Sequence, residues 1–127
     1  MFWRGNDLER LAKKVIKTYG DLKHLDDPQC RIVYQYCDKM KKSGGKIVLA
    51  DTELVKDKIK AFCPADFLIT VYQGSCSGLD DERMERLMYH ELKHVGFEAP
   101  DKYWIIPHDL EDFRDVVDKW GVDWVKK

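Results

Sequence analysis

Residues 90–94, His90-Glu91-Leu92-Lys93-His94, form an HExxH pentapeptide whose residue types match those of a hydrolytic zinc site. On an α-helix, side chains four residues apart lie on the same face, about one turn from each other. The imidazoles of His90 and His94 would therefore reach one metal ion, and zinc accepts neutral imidazole nitrogen at roughly 2.0–2.1 Å. Glu91 would hold and deprotonate the water at the metal's open position. The motif predicts a zinc-dependent hydrolase, most simply a peptidase, with Glu91 as the general base.

The sequence around the motif predicts the helix that this chemistry requires. Asp80 is a suitable N-cap, and Leu79 and Met84 have the spacing of a hydrophobic staple. An apolar stripe recurs at helical spacing through Met84, Leu87, Met88, Leu92 and Val95. At about 100° per residue, the two histidines lie about 110° from the centre of this stripe, so they flank the buried face. Gly96 is predicted to be the C-cap of this helix.

A catalytic zinc usually has three protein ligands and a water, so a third ligand is expected from outside the helix. His108 is the first candidate, because an apolar strand-like run ends at Pro107 and a second amphipathic helix is predicted to begin there. The buried face of that helix would contain Leu110, Phe113, Val117 and Trp120, with Gly121 at its end. The competing oxygen ligands are Glu98, Asp101, Glu111 and Asp112, of which Glu111 is the strongest. His24, in a polar stretch far from the motif, is the weakest candidate.

The residues after the motif exclude one familiar class of metallopeptidase. The long metzincin motif requires Gly at position 97 and His at position 100, whereas this chain has Phe97 and Pro100. A shortened thermolysin-like arrangement, with Glu111 as the third ligand, remains open.

Three segments together resemble small phage-encoded metallopeptidases: residues 66–71, 90–96 and 108–113. The set of His90, His94 and His108 is also similar in pattern to that of the compact SprT-type zincins. The resemblance implies a zincin-like domain of phage or prophage origin, with these three histidines as Zn²⁺ ligands and Glu91 as the base. The chain departs from the SprT relatives in having no C-terminal CxxC…CxxC zinc ribbon. That ribbon would have been the best reason to expect proteolysis directed at DNA, so this expectation is not carried over.

Composition bounds the remaining possibilities. With 127 residues, of which 44% are hydrophobic, the chain is expected to be a single domain over residues 1–127. It has no apolar run of roughly 20 residues and no visible secretory signal, so a cytoplasmic protein without a membrane span is expected. The formal net charge of −1 gives no overall attraction to nucleic acid. The four cysteines lack CxxC spacing and are expected to be reduced.

The periodicity of the chain predicts an α+β fold with a mixed three- or four-stranded sheet and helices mainly on one side. The expected elements are a helix over 7–19, a strand over 31–36 paired with 46–50 across Gly44-Gly45, a short helix over 54–62, and a strand over 66–73.

The apolar strand Phe67–Tyr72 leads directly to the metal helix and has two interpretations. As an edge strand of the cleft, it would hold an extended peptide or protein substrate by backbone pairing. As a central strand it would belong to the core, which its nearly continuous apolar sequence permits equally well.

Several roles stay open at this point. The candidates for a second oxyanion donor are Tyr72, Tyr89 and Tyr103, and Asp109 or Asp112 is a candidate for orienting a ligand imidazole. Two other functions compete with peptidase activity: hydrolysis of a non-peptide amide or ester, and a non-catalytic zinc-binding module that interacts with a host factor. The sequence does not determine the oligomeric state.

Overall fold

Residues 1–108 are described by a computed structural model of the chain, and they form an α+β fold. The strands are β1 (Phe2–Arg4), β2 (Ile32–Cys37), β3 (Lys41–Ser43), β4 (Lys46–Val48), β5 (Ala50–Leu54), β6 (Phe67–Tyr72), β7 (Val95–Glu98) and β8 (Lys102–Ile105). The α-helices are α1 (Asn6–Thr18), α2 (Gln73–Cys76) and α3 (Asp81–Lys93), and two short 3-10 helices cover Gly20–Leu25 and Asp57–Ile59.

The main sheet has four strands in the order β1-β2-β6-β5. β2 runs parallel to β6, with Ile32 opposite Phe67 and Cys37 opposite Tyr72. β1 pairs antiparallel with β2, and β5 pairs antiparallel with β6. The expected fold class, α+β with a mixed sheet of three or four strands, is therefore confirmed.

The core lies between one face of this sheet and the two long helices. The register places Tyr34 opposite Ile69 and Ala50 opposite Val71, so their side chains share a face, and all four are buried in one apolar cluster. Helix α1 contributes buried residues at helical spacing, Leu8, Ala12 and Val15, and α3 contributes Leu87, Met88 and Leu92. Since α3 packs against both α1 and β5, this core fixes the position of the HExxH residues over the sheet.

The predicted pairing of residues 31–36 with 46–50 is wrong. Gly44 and Gly45 do form a tight turn, with φ of 58° and 80°, but the turn joins β3 to β4 in a separate hairpin. Positive φ at both central residues is typical of two-residue hairpin turns, which glycine permits without strain. β2 takes its partners from more distant parts of the chain, β1 and β6.

The predicted helix over residues 54–62 is also wrong. Leu54 ends β5, and only Asp57–Ile59 forms a single 3-10 turn. Pairing with Phe67 of β6 holds Leu54 in the sheet, and the residues on either side of the 3-10 turn form no regular helix. Pairing with β2 and β5 makes β6 a central strand, so of the two interpretations of Phe67–Tyr72 the central strand is confirmed, and β5 lies at an edge of the sheet.

The predicted C-terminal helix and the candidate residues Asp109, Glu111 and Asp112 lie outside the described residues. From residue 1 to residue 108, no helix has the length and apolar character that crossing a membrane would require.

Asp66, at the start of β6, is a buried carboxylate that ties β2 to the loop before β6. It accepts hydrogen bonds from the backbone N–H of Arg31 at 3.0 Å and from the Arg31 guanidinium at 3.3 Å, and it lies 3.3 Å from Nζ of Lys60. Burial alone would raise the pKa of Asp66, but the hydrogen bonds from Arg31 and Lys60 outweigh it and hold the pKa below its usual value.

We expect Asp66→Asn to lower the free energy of unfolding by about 1–3 kcal/mol at pH 7, because the amide leaves buried donors without an acceptor. A carboxylate whose pKa is lowered by folding stabilises the protein above its unfolded pKa, about 3.9, and the stabilisation is lost as pH falls through the folded value. Urea unfolding at pH 7 and at pH 3 should therefore show the difference between the variant and the wild type shrinking in acid. Asp57→Asn is the control, since Asp57 also pairs with Lys60 but is fully exposed, and it should change stability at neither pH.

Candidate metal centre

Helix α3 carries the HExxH residues in its last turn. Its N-cap is Asp80, whose side chain accepts a hydrogen bond from the backbone N–H of Arg83 at 2.8 Å, as predicted. The helix ends at the second histidine, because His94 is its C-cap and the chain passes directly into β7.

The predicted role of Gly96 as a C-cap is wrong. Gly96 lies in β7 opposite Trp104 of β8, and a Cβ atom at this position would overlap the Trp104 indole. The glycine is therefore explained by the packing of Trp104 against the strand and not by a left-handed backbone conformation.

The β7–β8 hairpin returns the chain to α3 and brings His90, His94 and His108 together. Their ligand nitrogens form one group within 4.8 Å of one another. Nε2 of His90 lies 3.0 Å from Nε2 of His108, and the ring centres of His94 and His108 are 4.5 Å apart. The side chain of His90 is only 12% exposed, whereas His108 is exposed, so the group opens to solvent on the His108 side.

This arrangement fits a zinc ion. In a tetrahedral site with Zn–N distances of roughly 2.0–2.1 Å, two ligand nitrogens lie about 3.3 Å apart, close to the His90–His108 separation. Three imidazoles also form the usual number of protein ligands for a catalytic zinc, which leaves a fourth position for water. The donor set and its spacing therefore agree with the metal that the sequence predicts.

The imidazole of His94 is oriented by the backbone of Ile106. Nδ1 of His94 lies 2.7 Å from the Ile106 carbonyl oxygen, and the N–H of Ile106 donates to the His94 carbonyl at 2.8 Å. With its proton on Nδ1, the ring keeps its lone pair on Nε2, which is the state that a metal ligand needs. This partner was not predicted, because a backbone carbonyl leaves no signature in the residue types.

Glu91 is buried beside the histidines, at 4% exposure. The hydroxyl of Thr52, on β5, donates to Oε1 of Glu91 at 2.8 Å. The second carboxylate oxygen, Oε2, lies 3.9 Å from Nε2 of His90 and so faces the ligand group. Sequence analysis also missed Thr52, since the predicted elements did not include β5; the alternation of residue types from Ala50 to Leu54 was the available signal.

The three tyrosines considered as oxyanion donors hydrogen-bond elsewhere. The hydroxyl of Tyr72 donates to Asp51 at 2.8 Å, that of Tyr89 donates to Asp21, and that of Tyr103 donates to the carbonyl of Gln29 at 2.8 Å.

The competing ligands within residues 1–108 do not join the histidine group, which contains only His90, His94 and His108 there. Glu98 and Asp101 are exposed, at the end of β7 and in the turn that follows it. His24 lies in the 3-10 helix Gly20–Leu25, where burial and the nearby Lys93 lower its pKa.

The cysteines of the chain are free thiols, as expected. The pKa of the Cys76 thiol is raised to about 11, mainly by burial and further by the carboxylate of Glu91. The thiol is therefore protonated near pH 7, and it donates to the Leu49 carbonyl at 3.3 Å. This environment does not favour a nucleophile or a thiolate ligand.

A family model described as "Putative phage metallopeptidase" matches residues 1–127. No curated protein and no solved structure matches the chain.

Proposed function

We propose that this chain, which belongs to the family described as putative phage metallopeptidase, is a zinc-dependent peptidase with Glu91 as its general base. Membership of the family implies a peptidase that uses a metal ion. The observation that carries the finer proposal is the grouping of His90, His94 and His108 beside the buried carboxylate of Glu91.

The donor set supports zinc as the metal. Imidazole nitrogen suits zinc and other transition metals, whereas magnesium and calcium take oxygen ligands. When bound by three imidazoles, zinc lowers the pKa of water at its fourth position toward about 7 and polarises the carbonyl of the substrate.

Two residues of the chain then have separate roles: Glu91 transfers the proton, and His94 is held in the orientation that a metal ligand needs. Glu91 accepts the proton of the attacking water through Oε2, the oxygen that faces His90, and returns it to the amine nitrogen as the peptide bond breaks. The hydrogen bond to the Ile106 carbonyl keeps the lone pair of His94 on Nε2 throughout.

The substrate is proposed to be an extended peptide or an unfolded protein segment that pairs with β5. Strand β5 is one of the two edge strands of the sheet, and within residues 1–108 no strand pairs with its outer side. Thr52, in the middle of β5, contacts Glu91, so a peptide added to this edge would pass beside the catalytic carboxylate. Backbone pairing orients the scissile carbonyl without requiring a particular sequence. This assignment replaces the interpretation in which the substrate pairs with residues 67–72, because β6 is already paired on both sides.

Removal of the metal tests the proposal. We expect the purified protein to contain one zinc per chain and to cleave a pool of denatured proteins. Treatment with 1,10-phenanthroline should abolish cleavage, and one equivalent of zinc, but not magnesium or calcium, should restore it. Mass spectrometry of the new termini measures cleavage, and circular dichroism checks that the metal-free protein stays folded. Equal cleavage by folded, metal-free protein would contradict the proposal.

A further inference from the structure

Thr52 lies on β5, at the point where this strand contacts the C-terminal end of α3. It pairs with Ile69 across β5 and β6, and Ile69 is fully buried, so the Thr52 side chain points to the face of the sheet that α3 covers. The residue types around Thr52 indicate no role for it, and the proposed mechanism requires only that Glu91 be present.

The hydroxyl of Thr52 contacts Glu91 at two atoms. Its Oγ1 lies 2.8 Å from Oε1 of the carboxylate and 3.2 Å from the Glu91 main-chain carbonyl oxygen. A hydroxyl has one proton to donate, and the nearer acceptor is the carboxylate. The main-chain carbonyl of Glu91 also accepts from the N–H of His94 at 3.1 Å, in the last turn of the helix. Thr52 therefore holds the carboxylate end of the Glu91 side chain against β5.

This contact decides which carboxylate oxygen faces the metal ligands. Glutamate has several rotatable bonds, and fixing them costs conformational entropy that a buried hydrogen bond offsets. With Oε1 held by Thr52, Oε2 is directed to the side of His90, at 3.9 Å from its Nε2. Proton transfer requires the base within hydrogen-bond distance of the reacting water, and a displacement of about 1 Å can cost roughly 100-fold in rate.

We propose that Thr52 is a positioning residue that holds Oε1 of Glu91, so that Oε2 stays directed at the reacting water. The inference rests on the proposed peptidase function. It also links substrate binding to catalysis, because the strand that supplies Thr52 is the edge at which the peptide is proposed to pair.

Thr52→Val tests the inference, since valine keeps the β-branched shape of threonine and removes only the hydroxyl. We expect this variant to retain one zinc per chain and to lose about tenfold in kcat, with KM changed less than about twofold. Thr52→Ser restores the hydroxyl and should recover most of the lost kcat.

Thr70→Val is the matched control. Thr70 is a buried β-sheet threonine whose hydroxyl accepts from Gln35 at 3.0 Å, and it lies next to Ile69 on the opposite face of β6. Thr70 is more deeply buried than Thr52, and its side chain lies on the face of the sheet opposite to that of Thr52. We expect Thr70→Val to lower stability and to leave kcat unchanged, which separates positioning of Glu91 from a general effect on the sheet.

A thermal double-mutant cycle tests the same contact without relying on cleavage. With zinc in excess, Thr52→Val should lower the Tm by about 3–6 °C in the wild-type background and by much less in a Glu91→Ala background. Equal losses in the two backgrounds, or a Thr52→Val kcat equal to that of Thr70→Val, would overturn the inference while leaving the proposed function intact. Zinc-loaded wild-type protein that cleaves nothing would instead overturn the proposed function, and with it the proposal that Thr52 positions the base.

Discussion

Glu91→Gln is expected to keep its zinc and to lose cleavage by roughly 10²–10⁴-fold in kcat, the range that general acid–base catalysis contributes. Glutamine has nearly the same shape as glutamate, and its amide oxygen can still accept the hydrogen bond that Thr52 donates to Oε1. What the amide cannot do is take a proton near pH 7. Zinc stoichiometry and kcat, measured on the same preparations, separate the loss of the base from the loss of the metal.

Glu98→Gln provides the control for this substitution. Glu98 is an exposed glutamate at the end of β7 and does not belong to the histidine group, so its replacement should leave both zinc and kcat unchanged. Cleavage retained in Glu91→Gln would show that another group acts as the base. A wild type that binds zinc and cleaves nothing, together with a Glu91→Gln variant unchanged in zinc binding and stability, would favour the alternative of a non-catalytic interaction module.

The parts of the site that sequence analysis predicted are those that local rules govern. The spacing of the two motif histidines, the N-cap at Asp80 and the apolar stripe of α3 all follow from the period of one helix, and the structure has each of them. His108 was predicted from the zinc coordination rule and its position after a strand-like run, and the β7–β8 hairpin brings it to α3.

The parts that sequence analysis missed depend on pairing between distant segments. β2 pairs with β6 in parallel, across an intervening hairpin and β5, and no local pattern specifies that register. Because β5 was not predicted, neither the true edge strand nor the contact of Thr52 with Glu91 could be derived. Gly96 was misassigned for the same reason: the residue that requires it, Trp104, lies across a hairpin and not in the helix.

His108→Ala is expected to lower zinc affinity more than about 100-fold, because loss of a direct ligand should exceed the 10–100-fold effect of its outer-shell partners. Two histidines from one helix would remain, below the three protein ligands that catalytic zinc sites usually have. The loss should also appear in stability. Zinc at a free concentration 1,000 times its Kd stabilises a folded protein by about 4.1 kcal/mol. Added zinc should therefore raise the Tm of the wild type, whereas the Tm of His108→Ala should change little.

The matched variant for His108→Ala is Glu111→Gln, since Glu111 is the strongest competing ligand in the sequence. Titration of both variants with zinc, followed by Tm and by equilibrium dialysis, assigns the third ligand without an activity assay. The 3.0 Å separation of the His108 and His90 Nε2 atoms supports the outcome in which only His108→Ala loses the metal. Retention of zinc by His108→Ala and its loss from Glu111→Gln would instead establish the shortened thermolysin-like arrangement. In that case His108 would be an exposed neighbour of the site, and Glu91 would keep its role as the base.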